Sequence, residues 1–214
     1  MPAHKEIEVD RISYPLVHVP GGPFRMGTVP TEFRKTDDEE PQREVILDAY
    51  YIGKYFVTAA QYTQFTKETK HHQFHFHRDP RFNAPDCPVV GVNWHDVQNF
   101  LTWLNKKTGE SFRLPTEAEW EKAARGNDGR EYPWGNEWDS AKANTSESRL
   151  KRLTPVNNYP QGRSPYGCFD MAGNAYDWCN DWFHPETYRH SPKTNPQGVI
   201  TGRRKTVRGG SWVA

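Results

Sequence analysis

Apolar and polar residues alternate over short runs in the first part of the chain. One pair of runs lies within residues 16–28 and is broken at Pro20, and another lies within 43–58 and is broken near Asp48 and Gly53. Alternation with a period of two residues, bounded by glycine or proline, is the pattern of short β-strands. We therefore predict a strand pair within 16–28 and two further strands within 43–58.

Three later segments have the 3.6-residue spacing of apolar positions that is typical of α-helices. The first follows Thr58, a residue type that favours helix N-caps, and the second covers 94–109 and ends at a glycine. The third begins after Thr116, where Glu119 completes a capping box, and it ends at Gly126. We predict a helix in each of these segments.

The chain after Gly126 has little periodicity and is rich in Trp, Gly, Asn, Asp and Pro. This composition is typical of long ordered loops, which often hold their shape for a functional or ligand-related reason. Near the end of the chain, Val207 and Trp212 predict a strand that is interrupted by Gly209 and Gly210. Only 35% of the residues are hydrophobic, and 8 Trp, 10 Tyr and 11 Phe supply much of that share, so we expect an aromatic core. The 17 Pro and 16 Gly are spread without a linker. The pattern predicts one α+β, loop-rich domain.

The charge balance narrows the classes of function. The 28 basic and 27 acidic residues include no basic block, so nucleic acid is not an expected partner. No apolar run approaches the about 20 residues of a membrane span, and the N-terminal residues contain no apolar signal-peptide centre. We expect a cytoplasmic protein without membrane contact. Cys87, Cys168 and Cys179 do not have the dense spacing of a disulfide framework and are expected to be reduced.

One segment combines the oxygen ligands that hard cations prefer. Asp170 and Asp177 enclose a turn-prone stretch whose backbone carbonyls, at Gly173 and Ala175, are potential ligands as well. Calcium takes six to eight oxygens from such mixtures of carboxylates and carbonyls. The alternative is that both carboxylates only cap turns.

A histidine-rich run offers a second candidate, but a weaker one. Imidazoles at this spacing can bind zinc or iron, yet the run lacks a matching Cys or Glu constellation, so a solvated or substrate-facing loop is preferred. Asp96, at the start of the second predicted helix, is expected to cap that helix. Arg113 and Arg208 are expected to form structural ion pairs. The histidines of the run are His71, His72, His75 and His77.

Six blocks of sequence occur in order along the chain, namely VPGGPFRMGT, PVVGVNWHDVQNFLTWLN, FRLPTEAEWEKAARG, YPWGNEWD, TPVNNYPQGRSPYGCFDMAGNAYDWCNDW and RGGSW. In order and in approximate spacing, these blocks resemble the formylglycine-generating enzyme and sulfatase-modifying factor family. The resemblance runs from about Val19 to the last residue and implies a variant of the C-type-lectin fold that lacks its C-terminal part. Residues 1–18 would form an N-terminal extension or first strand, and 19–214 the family domain.

The resemblance also implies particular calcium ligands. A structural calcium in the family uses two side chains and two carbonyls, which here correspond to the side chains of Asp170 and Asp177 and the carbonyls of Gly173 and Ala175. A second, weaker site would use Asn144 and the carbonyl of Thr145. The loop that follows them, SESRLKRLTP, is short and basic, which weakens the expectation of this second site.

The family's enzymes oxidise a cysteine of a client protein to formylglycine with oxygen, using copper(I) held by two cysteines. Soft copper(I) needs soft sulfur ligands. The first of these cysteines follows the Gly-Gly-Ser-aromatic motif by two residues, a position occupied here by Ala214. We therefore assign no catalytic residue and expect no copper in this chain.

Two classes of function remain open from the sequence. The chain is either a truncated form of such an oxidase or a non-catalytic ligand-binding or regulatory module on the same fold, including a partner domain of an iron-dependent sulfoxide synthase. A protein or peptide client is the expected partner in either case.

Overall fold

A computed structural model describes residues 2–28 and 37–214. The strands among these residues are β1 His4–Val9, β2 Ile12–Val19, β3 Gly22–Met26, β4 Arg43–Leu47, β5 Tyr50–Gly53, β6 Asp177–Trp182 and β7 Lys205–Arg208. The helices are α1 Ala59–Thr69, α2 Trp94–Thr108, α3 Glu117–Arg125 and α4 Thr187–His190, with 3₁₀ turns at Asp37–Glu39, Ser140–Lys142, Ser146–Ser148 and Pro160–Gly162. The mixture of short strands, helices and long loops confirms the α+β, loop-rich prediction.

The strands form small antiparallel sheets. β2 lies between β1 and β5, β3 pairs with β4, and β6 pairs with β7. The break at Pro20 does separate two strands, as predicted, but they do not pair with each other because the chain changes sheet there. β2 therefore pairs with β5, and β3 with β4, which are partners distant along the chain that local alternation does not reveal.

The helix starts follow their capping residues. Thr58 with Gln61, Asn93 with Asp96, and Thr116 with Glu119 each form a reciprocal capping box at the starts of α1, α2 and α3. The predicted helices are thereby confirmed, and so is the prediction that Asp96 caps α2. Its carboxylate accepts a hydrogen bond from the backbone N–H of Asn93 at 2.9 Å.

The core is aromatic, as expected. Tyr62 and Phe65 of α1 pack against Phe100 and Trp103 of α2 and against the β1–β2 hairpin. A separate cluster joins one face of α3 to β2 and β6 and contains Trp120. The indole nitrogens find polar partners, since Trp103 Nε1 donates to Glu68 and Trp120 Nε1 donates to Asp177. No helix within residues 2–28 and 37–214 has the length and apolar character to cross a membrane.

The last residues do not continue as a strand, contrary to the strand expected from Val207 to Trp212. β7 ends at Arg208, and Gly209 and Gly210 adopt φ values of +89° and +71°, which side chains disfavour. The chain then turns back, and Trp212 N–H donates to the carbonyl of Asn174 at 3.3 Å. The terminal segment is therefore anchored on the loop that precedes β6.

Candidate functional site

The loop from Asp170 to Asp177 is a tight turn built on left-handed backbone. Asp170, Gly173 and Asn174 have φ values of +54°, +84° and +63°, which only Gly, Asn and Asp adopt readily. A Cβ at Gly173 would lie 2.5 Å from the carbonyl oxygen of Asn144, so this position requires glycine. Asp, Gly and Asn in this order therefore determine the shape of the loop.

Asn174 is fully buried and connects this loop to two neighbouring segments. Its Oδ1 accepts hydrogen bonds from Asn144 Nδ2 at 3.2 Å and from the backbone N–H of Thr154 at 3.1 Å. Its Nδ2 donates to the Thr154 carbonyl at 3.1 Å and to Asp170 Oδ2 at 3.0 Å. Sequence reasoning missed this residue, although a Gly-Asn pair inside a turn was a signal for it.

The two acidic residues of the loop are held in an environment that disfavours their charge. Burial, opposed by the hydrogen bond from Asn174 and aided by the charge of Asp177, raises the pKa of Asp170 to about 7. Burial also raises the pKa of Asp177 to about 7, against the hydrogen bond from Trp120. Among the described residues, Asp170 Oδ1 is buried and has no hydrogen-bond partner. A cation at this oxygen would compensate both carboxylates.

Asn144 and Thr145 lie beside this loop, but their oxygens are already engaged. Ser148 Oγ lies 2.9 Å from Asn144 Oδ1 and 2.8 Å from the Thr145 carbonyl oxygen. The Thr145 carbonyl also accepts the backbone N–H of Ser148. A serine hydroxyl therefore bridges the two oxygens that the resemblance implies for a second calcium.

The cysteines lie in the core, in surroundings that do not favour metal binding. All three are buried and free of disulfides in the described part of the chain. Burial raises the pKa of the Cys87 and Cys168 thiols to about 11 and about 12, and burial raises that of Cys179 well above its ordinary value. These thiols stay protonated at neutral pH, whereas copper(I) binding needs thiolates.

Ala214 lies in the terminal segment that turns back after β7. Its carbonyl oxygen accepts the backbone N–H of Ser146 at 3.0 Å, and its own N–H donates to the carbonyl of Ser211. Trp212 of the same segment belongs to a row of aromatic rings, in which Phe76 and Phe82 are 5.1 Å apart and Phe82 and Trp212 5.8 Å apart. The side chain at position 214 is a methyl group, which is not a metal ligand.

The histidine run divides into two parts. His71 and His72 turn toward Asp96 at the start of α2, a contact that the sequence did not predict. His75 stacks edge-on against Phe76, and His77 Nδ1 lies 2.9 Å from the carbonyl oxygen of Phe74. The run is therefore not one solvated loop.

The predicted ion pairs of Arg113 and Arg208 are both present. Arg113 donates two hydrogen bonds to the Glu119 carboxylate, at 2.7 Å and 2.6 Å. Arg208 pairs with Glu39, and its guanidinium nitrogens lie 3.5 Å from Glu117 Oε1 and 3.7 Å from Glu121 Oε2. Arg208 thus joins β7 to α3 and to the turn before β4.

One consequence is a pH-dependent stability to which Glu117 contributes. Burial raises the pKa of Glu117 from 4.5 to about 7, opposed by Arg208. Because the folded state binds this proton more tightly than the unfolded state, its contribution to stability is present below about pH 4.5 and is lost as pH rises to about 7. Glu117→Gln should reduce the fall in unfolding free energy between about pH 5 and pH 8 by about 2 kcal/mol.

Urea unfolding at a series of pH values measures this effect. The exposed Glu137 offers a matched control, and Glu137→Gln should leave the wild-type pH profile unchanged. An unaltered profile in Glu117→Gln would contradict the prediction.

Comparisons with known proteins agree with this fold and sequence. The family described as "Sulfatase-modifying factor enzyme 1-like domain" matches residues 7–214. The chain belongs to this family. It is 33% identical to a formylglycine-generating enzyme of Streptomyces coelicolor over 254 residues, covering 92% of this chain and 78% of that protein.

The chain is also similar to two proteins with other names. The chain is 32% identical to the serine/threonine-protein kinase pkn1 of Chlamydia caviae, covering 97% of this chain but 34% of the kinase. The solved structure of PvdO from Pseudomonas aeruginosa superposes with a TM-score of 0.85 at 29% identity, covering 99% of this chain and 87% of PvdO. The C-type-lectin-like architecture of this family is therefore the fold of this chain.

Proposed function

We propose that this chain is a calcium-stabilised sulfatase-modifying factor domain that binds a protein or peptide partner and does not itself carry out copper-dependent cysteine oxidation. The observation that carries the proposal is Ala214, whose methyl group stands where the family has its first copper ligand. Linear copper(I) needs two sulfur ligands, and a methyl group cannot replace one of them. The buried, protonated thiols of Cys87, Cys168 and Cys179 offer no substitute.

The residues of the 170–177 loop fit a calcium ion. The unpartnered Asp170 Oδ1 would be one ligand, and the Asp177 carboxylate with the carbonyls of Gly173 and Ala175 would supply the others. Calcium binds through oxygen alone and tolerates such mixed donor sets. A second calcium at Asn144 and Thr145 would have to displace the Ser148 hydroxyl that bridges their oxygens, so the proposal includes the calcium of the 170–177 loop alone.

The terminal segment supports the partner-binding part of the proposal. Phe76 is 36% exposed and continues the aromatic row that ends at Trp212, while the side chain of Val213 is 60% exposed. Aromatic side chains that remain partly exposed beside a rigid turn favour contacts with peptides. The kinase relative is consistent with a binding function, because the region similar to this chain covers 34% of that longer protein.

Calcium should raise the melting temperature of chelator-treated protein by several degrees at saturating concentration, because an ion that binds only the folded state stabilises it. Asp170→Asn should abolish most of this rise. Asp86 is exposed and serves as the control, so Asp86→Asn should keep the full response. Thermal unfolding with and without calcium measures these changes in melting temperature. A wild-type melting temperature that does not change with calcium would overturn the calcium part of the proposal.

Copper binding tests the other part of the proposal, the absence of copper-dependent oxidation, independently of calcium. Copper(I) titrated in the presence of a competing chelator, followed by a thiol-peptide oxidation assay under oxygen, should show no retained copper and no aldehyde product. Turnover by this chain would refute the proposed loss of oxidase activity. Because this assay does not require the calcium response, the two parts fail separately.

A further inference from the structure

Two consecutive histidines and one carboxylate meet between α1 and α2. His71 and His72 directly follow the C-terminal turn of α1, and Asp96 lies in the first turn of α2. The Nε2 atoms of both histidines lie 3.0 Å from Asp96 Oδ1. The packing of the two helices thus brings together residues that are far apart in the sequence.

The three side chains offer ligand atoms at metal-binding distances. One ligand atom from each lies within 4.8 Å of the others. Zinc bonds of about 2.0–2.1 Å to nitrogen and oxygen place tetrahedral ligands about 3.3 Å apart, so small side-chain rotations suffice for an ion to enter. Among the His, Cys, Asp and Glu side chains of residues 2–28 and 37–214, these three form the group whose ligand atoms lie this close together.

The carboxylate of this group is already oriented. Asp96 is buried, and its Oδ2 accepts the backbone N–H of Asn93, which leaves Oδ1 directed at the histidines. A ligand fixed by such an outer hydrogen bond binds metals more tightly than a mobile one. The capping box of α2 therefore serves as the support of the site.

The histidines differ in their surroundings. The His71 ring packs 5.1 Å from the Phe65 ring, and its side chain is 19% exposed. The His72 side chain is 63% exposed, and the two imidazole rings lie 4.2 Å apart. One ligand is thus held by the core and the other is open to solvent, so an ion can enter from the His72 side.

We propose that His71, His72 and Asp96 form a binding site for a divalent transition-metal ion of the zinc class, with three protein ligands and an open coordination position. Two imidazoles and one carboxylate suit zinc and its neighbours, whereas calcium and magnesium prefer oxygen alone. The site is distinct from the 170–177 loop and would tie the end of α1 to the start of α2.

The cysteines and the other two histidines of the run do not compete here. The three thiols are buried, and burial raises their pKa values, so they are not available to a metal at neutral pH. His75 and His77 belong to the same run of sequence but turn to Phe76 and to the Phe74 carbonyl. A mutation at His72 therefore tests this site alone.

Zinc titration against a chromophoric chelator tests the proposal. The wild-type chain should bind one zinc ion, and His72→Gln should weaken binding by more than about tenfold, because it removes a ligand. The exposed His75 provides the control from the same run, and His75→Gln should bind as the wild type does. Cobalt(II) should give visible absorption bands of a low-coordinate site in the wild type and lose them in His72→Gln.

Thermal unfolding provides a second readout that does not depend on the chelator. Zinc should raise the melting temperature of the wild type and of His75→Gln, but not that of His72→Gln, whose exposed position leaves the fold intact. Equal zinc affinity in His72→Gln and the wild type would overturn the proposal. A wild-type chain that binds no zinc would also overturn it and would leave the histidines as hydrogen-bond donors to Asp96.

Discussion

Replacing Asn174 with Ala is expected to lower the free energy of unfolding by about 3–5 kcal/mol. The substitution removes the partner of the Thr154 backbone N–H and carbonyl and of Asp170 Oδ2, all of which are buried. Each buried polar group left without a partner costs about 1–3 kcal/mol. Alanine also disfavours the left-handed backbone that Asn174 adopts at φ +63°.

The exposed Asn157 is the matched control for this change. Asn157→Ala should shift the unfolding free energy by less than about 0.5 kcal/mol, as surface substitutions usually do. Urea unfolding at neutral pH, with calcium removed, compares the two variants. A loss below about 1 kcal/mol in Asn174→Ala would show that the network is not the structural centre of the loop.

The same variant links the fold to the proposed calcium. Asn174 Nδ2 holds Asp170 Oδ2, and this contact leaves Oδ1 available for the ion. Without Asn174, Asp170 is free to rotate and to lose that orientation. The uncharged Asn174 at the centre of the loop therefore positions the carboxylate of Asp170 at its edge.

Features set by neighbours in the sequence were predicted well. The capping box of Thr116 and Glu119 is contained in four residues, so its chemistry can be read directly from the chain. Asp96 was predicted as a cap for the same reason. The strands β2 to β5 were also found from local alternation, although their partners were not, and β1 and β6 were not predicted.

Features set by tertiary packing were missed. Asp96 also meets His71 and His72 only because α1 packs against α2, and no local pattern encodes that distance. Ser148 bridges the oxygens of Asn144 and Thr145 through a turn that looked like a basic loop. The segment from Val207 to Trp212 was predicted as a strand because both of these residues are apolar, whereas the glycines between them reverse the chain.

Arg208 is expected to show the second large effect. Its guanidinium lies among the carboxylates of Glu39, Glu117 and Glu121, the last of which is completely buried. Glu121 has other partners, since it accepts hydrogen bonds from the Gly27 backbone N–H at 2.7 Å, from Tyr188 OH at 2.8 Å and from Arg125 Nη1 at 3.0 Å. These contacts fix its position, so it cannot move to solvent when the cation is lost.

Arg208→Met preserves the length and apolar stem of the side chain but removes the charge. Glu39 and Glu117 then lose their shared cation, whereas Glu121 keeps its ion pair with Arg125, and the unfolding free energy should fall by about 3–5 kcal/mol. Chemical denaturation measures the loss. Arg208→Lys should recover only part of it, because an ammonium group cannot contact several carboxylates in the manner of a guanidinium.

The exposed Arg203 lies nearby and serves as the control, so Arg203→Met should change stability by less than about 0.5 kcal/mol. Adding Glu117→Gln to Arg208→Met should restore part of the lost stability, since it removes one of the carboxylates left without a cation. A double variant as unstable as Arg208→Met would mean that the guanidinium acts through its packing on the Trp120 ring, 5.5 Å away, and not through charge. Recovery of stability in the double variant would therefore indicate that charge matters at the junction of β7 and α3, whereas no recovery would indicate packing.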